Sequence, residues 1–456
     1  MRRPLPIDRI DRLFAEWDRL DSPGCALAVI RAGAVLYARG YGSANLEYGL
    51  PITPATVFVA GSVAKQFTAC AIYLLAQDGL LALDDPVRAY VPDAPAYCDP
   101  VTIRHLLHHT GGLRDHWAVL RLADYPDDGV YSEADIMDLL RRQRGLVTAP
   151  GATFCYSNPG YILLSMVVRQ ASGRALRAFA DERIFAPLGM RDTRFHDDHR
   201  RLVPRRADGH EPAEGGGWRL FMPHSDLVGN GGLLTTVEDL ARWDANFYAG
   251  AVGGMGLIAR LLTPGALNDG QPVLNFGHRY AGGLLLGAYR GLPIVHHPGG
   301  NTGYRAQLVR FPAQRLSVAC LCNLRTMDPT ALAFGVADVC LEDELGPPPA
   351  SPPATPATPA LALSAGQRVE APGLYDSAEV GTTFGVTLGG GALRLRSRRG
   401  QEWGLRPLGG DEFAVDGLEG GRLTFRREGE AIAGFELSAD RAARLAFDKR
   451  ATAGDR

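Results

Sequence analysis

Lysine is nearly missing from this chain: of 48 lysines and arginines, only Lys65 and Lys449 are lysine. A solvated cation here is therefore almost always an arginine, which keeps its proton at any physiological pH, whereas a lysine can lose its own. Long apolar runs are missing too. No stretch approaches the roughly 18 uninterrupted apolar residues of a membrane-crossing helix. Met1–Leu20 alternates charged and apolar residues without the roughly 7–15-residue apolar run of a signal peptide, so a cytoplasmic location is expected. An excess of one charge is also lacking, with 21% charged residues and a formal net charge of -2. That balance leaves no footprint for nucleic acid and fits a small-molecule or short-peptide substrate, neutral or zwitterionic. The seven cysteines, an odd number in a chain long enough to fold without staples, are expected as free thiols. Cys320 and Cys322 flank Leu321 and would face the same way on a strand, as buried core rather than as a metal site.

Length alone, 456 residues, implies more than one domain. The run PPPASPPATPATPA is read as a semi-rigid linker at 347–360, dividing a domain at 1–346 from one at 361–456. Upstream, Cys25–Ala32 and Val35–Gly42 read as a hairpin around Ala32-Gly33. A helix is predicted from Ser62 to Gln77, with Gly79 as its stop. A mostly helical stretch follows from Ile103 to about Asn246. Strands are predicted again at Ala281–Tyr289, Pro293–Val295, Tyr304–Phe311 and Ser317–Cys322, and a last helix from Pro329 to Glu344. Strands at both ends with helices between imply an α/β fold, one antiparallel sheet flanked by helices plus a helical lobe. Beyond the linker, alternation in Leu393-Arg394-Leu395-Arg396 and Leu423-Thr424-Phe425-Arg426 between Gly-rich turns reads as a small all-β barrel or sandwich.

Three short patterns carry chemistry. Ser62-Val63-Ala64-Lys65 opens the long helix, where residues three apart share a face, so a hydroxyl can meet an amine. Serine is a poor nucleophile until a base takes its proton, and a desolvated lysine is such a base. Because this chain uses arginine for ordinary cations, a lysine inside an apolar helix points to a titratable amine. Tyr156-Ser157-Asn158 sits at a loop-to-helix junction, from which Tyr156 can pass a proton to a leaving group and Asn158 can hold Lys65 and a substrate carbonyl. In His297-Pro298-Gly299-Gly300 the glycines allow a substrate backbone to approach a strand edge, and the Gly300 N–H can join that of Ser62 as an oxyanion hole. Each pattern alone also has a plain structural reading: a capped helix with a surface lysine, a turn with a half-buried tyrosine, a structural histidine. Among the other histidines, His105, His108 and His109 are read as structural, and Asp115 and His116 as either cleft rim or solvated surface.

In order and spacing, Ser62-x-x-Lys65, Tyr156-x-Asn158 and His297-x-Gly299 resemble the three motifs of the serine β-lactamase and penicillin-binding protein superfamily, in its class C β-lactamase and DD-peptidase branch. The resemblance extends over residues 8–345. Ser62-Val63-Ala64-Lys65-Gln66-Phe67-Thr68, Gly112-Leu113-Arg114-Asp115 and Glu182-Arg183-Ile184-Phe185-Ala186-Pro187 are most similar to bacterial D-aminopeptidase, which also has histidine in the third motif. That enzyme carries two barrel domains after the catalytic one, and this chain has one. The resemblance implies acyl transfer through Ser62, Lys65 and Tyr156, with Asn158, His297, Gly299 and Gly300 around the substrate and no metal or organic cofactor.

Substrate class is argued from charge. A carboxylate-binding site needs a permanent cation, and His297 is mostly neutral at pH 7. This favours release of N-terminal D-amino acids from amides or peptides. The alternatives are a short-chain esterase, a β-lactamase, or, in another class, a non-catalytic penicillin-binding-like sensor. Arg305, on the following strand, is the candidate to supply the missing charge. Oligomeric state is not legible.

Overall fold

The computed structural model describes residues 5–348 and 363–451, so nearly all of the tract expected as a linker at 347–360 lies outside the described residues. Eight antiparallel strands form the main sheet. Two short ones, Leu274–Asn275 and His278–Tyr280, are followed across the sheet by β3 (Leu285–Tyr289), β4 (Leu292–Asn301), β5 (Tyr304–Phe311) and β6 (Leu316–Cys322), then β1 (Cys25–Arg31) and β2 (Ala34–Tyr41). The N-terminal hairpin thus joins a sheet made by the C-terminal part of the same domain, with Cys25 opposite Cys322.

The strands β1, β5 and β6 are buried on both faces, which is why they read as unbroken apolar runs. One face, with Ala26, Ala28, Ala306, Leu308, Ala319 and Leu321, packs toward the helical lobe. The other, with Leu27, Val29, Val309, Cys320 and Cys322, is covered by the helices Ile7–Arg12 and Pro329–Cys340. Cys25, Cys320 and Cys322 are free, fully buried thiols on that second face.

Between sheet and lobe runs α1 (Lys65–Gln77), buried at every position from Lys65 to Leu75. The predicted first turn is a 3-10 turn, Gly61–Ala64, so Ser62 precedes the α-helix and Lys65 begins it. Across from it, α2 (Asn158–Ser172) is capped by Ser157, whose hydroxyl accepts from Gly160 N, and stopped by Gly173 in the left-handed region at φ 71°. The stretch expected as mostly helical also holds short strands, among them Arg194–Phe195 and Leu233–Thr235, which pair with each other and with Phe58–Val59.

The strand β4 is far longer than the predicted Pro293–Val295. Its pairing with β5 continues to Asn301 opposite Tyr304, so the histidine-glycine motif lies in the strand and not after it. Proline survives there because β3 pairs with β4 only as far as His296, leaving that edge free of a neighbour from His297 onward. The strand β3 begins later than predicted, after a turn containing Gly283 at φ 71°.

Residues Gly373–Lys449 form a closed eight-stranded antiparallel barrel. Leu393 and Leu395 point in while Arg394 and Arg396 point out, and Phe384, Phe413, Phe425, Phe435 and Phe447 fill the interior. Closure leaves no open sheet edge. The barrel is docked on the helical lobe by buried polar contacts. Arg114, 7% exposed, donates to the carbonyls of Gly145, Ala443 and Arg444. Glu379, 1% exposed, accepts from the backbone N–H groups of Arg144 and Ala446. Among the described residues, no helix is long and apolar enough to cross a membrane.

Candidate active site

Two glycines let the Ser62 turn touch β4. Gly61 has φ 52°, and a Cβ there would stand 2.5 Å from Gly300 N. A Cβ on Gly299 would stand 2.0 Å from Ala60 O, so neither position tolerates a side chain without parting the two elements. Their approach places Gly300 beside the turn that carries Ser62.

Lys65 is fully buried, and its Nζ donates to Ser62 Oγ at 3.1 Å, Asn158 Oδ1 at 2.8 Å and the Asn230 carbonyl at 2.6 Å. Burial drives its pKa well below the usual lysine value, with Arg441 adding to the effect and Asp115 opposing it. Tyr156 Oη donates to the same Ser62 Oγ at 2.9 Å. Burial raises the phenol's pKa, so it keeps its proton at neutral pH, while the Ser62 contact and Arg441 pull the other way. Ser62 Oγ therefore lies within hydrogen-bond reach of a group poised to lose its charge and of a protonated phenol.

The surroundings hold these groups in place. Asp115 is fully buried; it caps the helix His116–Leu122 and accepts from Asn158 N at 3.0 Å and Asn158 Nδ2 at 2.7 Å. With its nitrogen engaged, the Asn158 amide turns its oxygen to Lys65. The expectation that Asp115 and His116 are cleft rim or solvated surface is thus corrected: both have 0% exposure, because the chain turns inward after Gly112 to cap that helix beneath α2. His109, also buried, stacks on Tyr156 with ring centroids 4.2 Å apart. It accepts from Ser157 N, which leaves Nε2 to donate to Tyr280 Oη at 3.0 Å.

The pleat of β4 sorts the third motif. His297 and Gly299 lie opposite Leu308 and Ala306 and face α1, whereas Gly300 lies opposite Arg305. His297 lines the cavity beside Ser62, and burial, followed by the charge of Lys65, pushes its pKa down to about 3. Arg305 is the sequence candidate that the structure does not bring in. It sits on the opposite face in register with Cys322, and its Nη1 donates to the carbonyls of Thr302 and Tyr304.

The cation at the site comes from the barrel. Arg441, in the turn between the last two barrel strands, stands 5.2 Å from the Tyr156 ring centroid, and its Nη1 is 4.0 Å from Asp115 Oδ2. Its backbone carbonyl accepts from Asp115 N and its Nε donates to Asp440. Nothing in the sequence marks it, since it is one arginine among dozens and lies far from every motif.

Two cavities open on Ser62. One, of about 730 Å³, is lined by Phe154, Tyr156, Phe276, Leu285, His297 and Arg441. The other, of about 120 Å³, is lined by Asn158, Asn230, Asp127, Thr302 and Arg441 among others. Two groups of metal-ligating type, Cys25 with Cys320 and Cys322, and Asp198 with His199 and Asp226, line neither cavity.

The D-aminopeptidase of Gluconobacter oxydans is 31% identical over 307 residues, 67% of this chain and 56% of that protein, so the chain spans little more than half of that relative. The D-aminopeptidase of Brucella canis is 28% identical over 420 residues, 90% of this chain and 73% of its own length. The octameric penicillin-binding protein homologue from Pyrococcus abyssi superposes with a TM-score of 0.65 over 98% of this chain and 100% of its own, at 24% identity, a likeness of fold. A family model described as Beta-lactamase matches residues 10–340, and with that match the chain belongs to the Beta-lactamase family.

Proposed function

We propose that this chain is a serine hydrolase of D-aminopeptidase type, releasing an N-terminal D-amino acid from a short peptide or amide through a covalent acyl-enzyme. The observation that carries the reading is Lys65, a fully buried amine 3.1 Å from a serine hydroxyl. Lys65 in its neutral form takes the Ser62 proton, directly or through Tyr156, and Ser62 Oγ attacks the substrate carbonyl. The oxyanion rests on the N–H groups of Ser62 and Gly300. Tyr156 passes a proton to the leaving amine, and water then cleaves the acyl-enzyme.

Tyr156 lines the larger cavity and not the smaller, so the leaving group departs into the larger one and the acyl part occupies the smaller. His297 stays neutral and offers single hydrogen bonds. The permanent cation is Arg441, which lines the larger cavity with its Nη1 4.0 Å from Asp115 Oδ2, beyond hydrogen-bond distance; its guanidinium can also meet a carboxylate of the leaving part, which favours a peptide over a simple amide. The names of the Gluconobacter and Brucella relatives support the D-amino-acid substrate class.

The test is a panel of D- and L-alanine p-nitroanilides, D-alanyl dipeptides, short-chain esters and a cephalosporin, with intact-mass detection of an adduct on Ser62. D-alanine substrates are expected to turn over fastest. Faster cephalosporin hydrolysis would make the chain a β-lactamase, and a stable adduct without turnover would make it a sensor.

A further inference from the structure

We propose that the apolar part of the larger cavity is a site for the side chain of the substrate's second residue, with Phe276 as its specificity-determining residue. The preferred substrate is then a D-aminoacyl dipeptide that ends in an aromatic or branched apolar residue. The inference rests on the aminopeptidase reading above, in which the leaving part departs into this cavity, and adds which leaving part is taken.

The residues lining that cavity divide by origin and by chemistry. Val147 and Phe154, from loops of the helical lobe, Leu285 at the start of β3, and Phe276 are apolar, whereas the barrel contributes the charged Glu419, Asp440 and Arg441. Phe154 packs with Tyr156 on a small separate cluster of Val273, Tyr280 and Leu285, so the apolar part is anchored to packed structure. At about 730 Å³ the space lies within the roughly 300–1,000 Å³ of a ligand pocket and takes a whole amino acid.

Phe276 stands against local preference. Asn275 pairs with His278, so Phe276 and Gly277 are the two central residues of a tight hairpin, and both have positive φ, 50° and 77°. Turns of that kind take Asn, Asp or Gly at the first central position, because a larger side chain there crowds its own backbone. Among the described residues, Phe276 is the one large apolar side chain with positive φ. It is also 87% exposed, so the ring adds little to the packing of its own chain. An exposed apolar residue alone needs no explanation. One that is strained in a turn, gains nothing by packing and lines the cavity that holds the nucleophile is accounted for by a ligand that covers it.

A leaving amino acid has the same two kinds of surface, an apolar side chain and a carboxylate. Its side chain, seated against Phe154 and Leu285, takes apolar surface of Phe276 out of water, while its carboxylate shares the cavity with the Arg441 guanidinium. Glycine in the second position has no side chain to cover the ring. The site therefore ranks second residues by apolar size.

The test is a dipeptide series, D-alanylglycine, D-alanyl-L-leucine and D-alanyl-L-phenylalanine, assayed by release of D-alanine. Wild-type kcat/KM should be at least about tenfold higher for the leucine and phenylalanine dipeptides than for D-alanylglycine, the scale of a methylene or two buried in an apolar pocket. Phe276→Asn suits the turn better, so Tm should hold or rise, while that preference should fall at least about threefold. Phe276→Leu, which keeps an apolar side chain, should retain most of it. A merely structural Phe276 would shift Tm and leave the preference unchanged. A smaller wild-type preference, or one that survives Phe276→Asn, overturns the site and leaves D-alanine release, and with it the aminopeptidase reading, in place. Absence of D-alanine release from all three dipeptides, with esters or the cephalosporin still hydrolysed, removes that reading and the side-chain site together.

Discussion

An amine held at 0% exposure between Asn158 and a serine hydroxyl must either find a counter-charge or give up its proton. The nearest carboxylate, Asp115, is already engaged by Asn158 and faced by Arg441, so Lys65 sheds its charge readily. Lys65→Arg keeps a positive charge but loses basicity. It should lower kcat/KM at least a thousandfold while the circular dichroism spectrum is unchanged; a loss below about tenfold, only ~1.4 kcal/mol, would mean Lys65 is not the base. The pH profile follows with its sign. The base works deprotonated, so kcat/KM should rise with pH and level off well below the ordinary lysine value of 10.5. His297, neutral down to about 3, should add no inflection near 6.5. A break near pH 6.5 that disappears in His297→Gln would show that the imidazole titrates during turnover. At this scale the sequence was informative about chemistry and silent about surroundings. Lysine scarcity singled out Lys65, but that Asp115 lies buried behind Asn158 depends on a loop entering the protein interior, for which no local pattern exists.

Between elements, the site depends on how closely the Ser62 turn and β4 approach. The backbone contacts at Gly61 and Gly299 leave no space for a methyl group. Gly299→Ala should therefore push β4 from the turn and displace Gly300 N relative to Ser62. Removal of one oxyanion donor costs about 3–4 kcal/mol of transition-state stabilisation, a hundredfold or more in kcat. Stopped-flow acylation with a chromogenic anilide measures it, and acylation within threefold of wild type would exclude Gly300 from the oxyanion hole. The strand that carries these glycines was the one element badly shortened in the sequence reading. Proline and glycine ordinarily end strands, and here they persist because β3 stops at His296 and leaves the edge open.

On the scale of the molecule, the barrel is part of the site. Arg441 reaches Tyr156 only because Arg114, Gln143 and Arg144 bind the barrel to the helical lobe. Arg441→Ala should raise KM for a D-alanyl dipeptide at least tenfold more than for D-alanine amide, about 1.4 kcal/mol of selective carboxylate binding; equal effects on both would leave Arg441 as packing alone. Arg114→Met removes the buried donor of three carbonyls and the guanidinium that lies 3.9 Å from the Glu379 carboxylate. It should destabilise the protein by about 3 kcal/mol, the scale of breaking a buried ion pair, read as a lower midpoint in urea. A midpoint within error of wild type would mean that this contact does not hold the barrel.

The structure gathers Ser62, Lys65, Tyr156, Asn158 and His297 around one cleft; the pairs Ser62–Lys65 and Tyr156–Asn158 were legible in the chain because each lies within a single turn, and because periodicity in a strand or helix assigns a face from neighbouring residues alone. The sheet between two helical layers and the alternating barrel strands were legible for the same reason. What only the tertiary structure decided is everything that depends on register or docking between distant segments. The pairing of β4 with β5 turns Arg305 away from Ser62, although Arg305 is close in sequence to His297. The docking of a barrel turn onto Asp115 brings in Arg441, more than 300 residues away along the chain. No pattern local to either arginine distinguishes them, because the charge at the site is set by which segment packs there, and that is a property of the folded surface rather than of the adjacent residues.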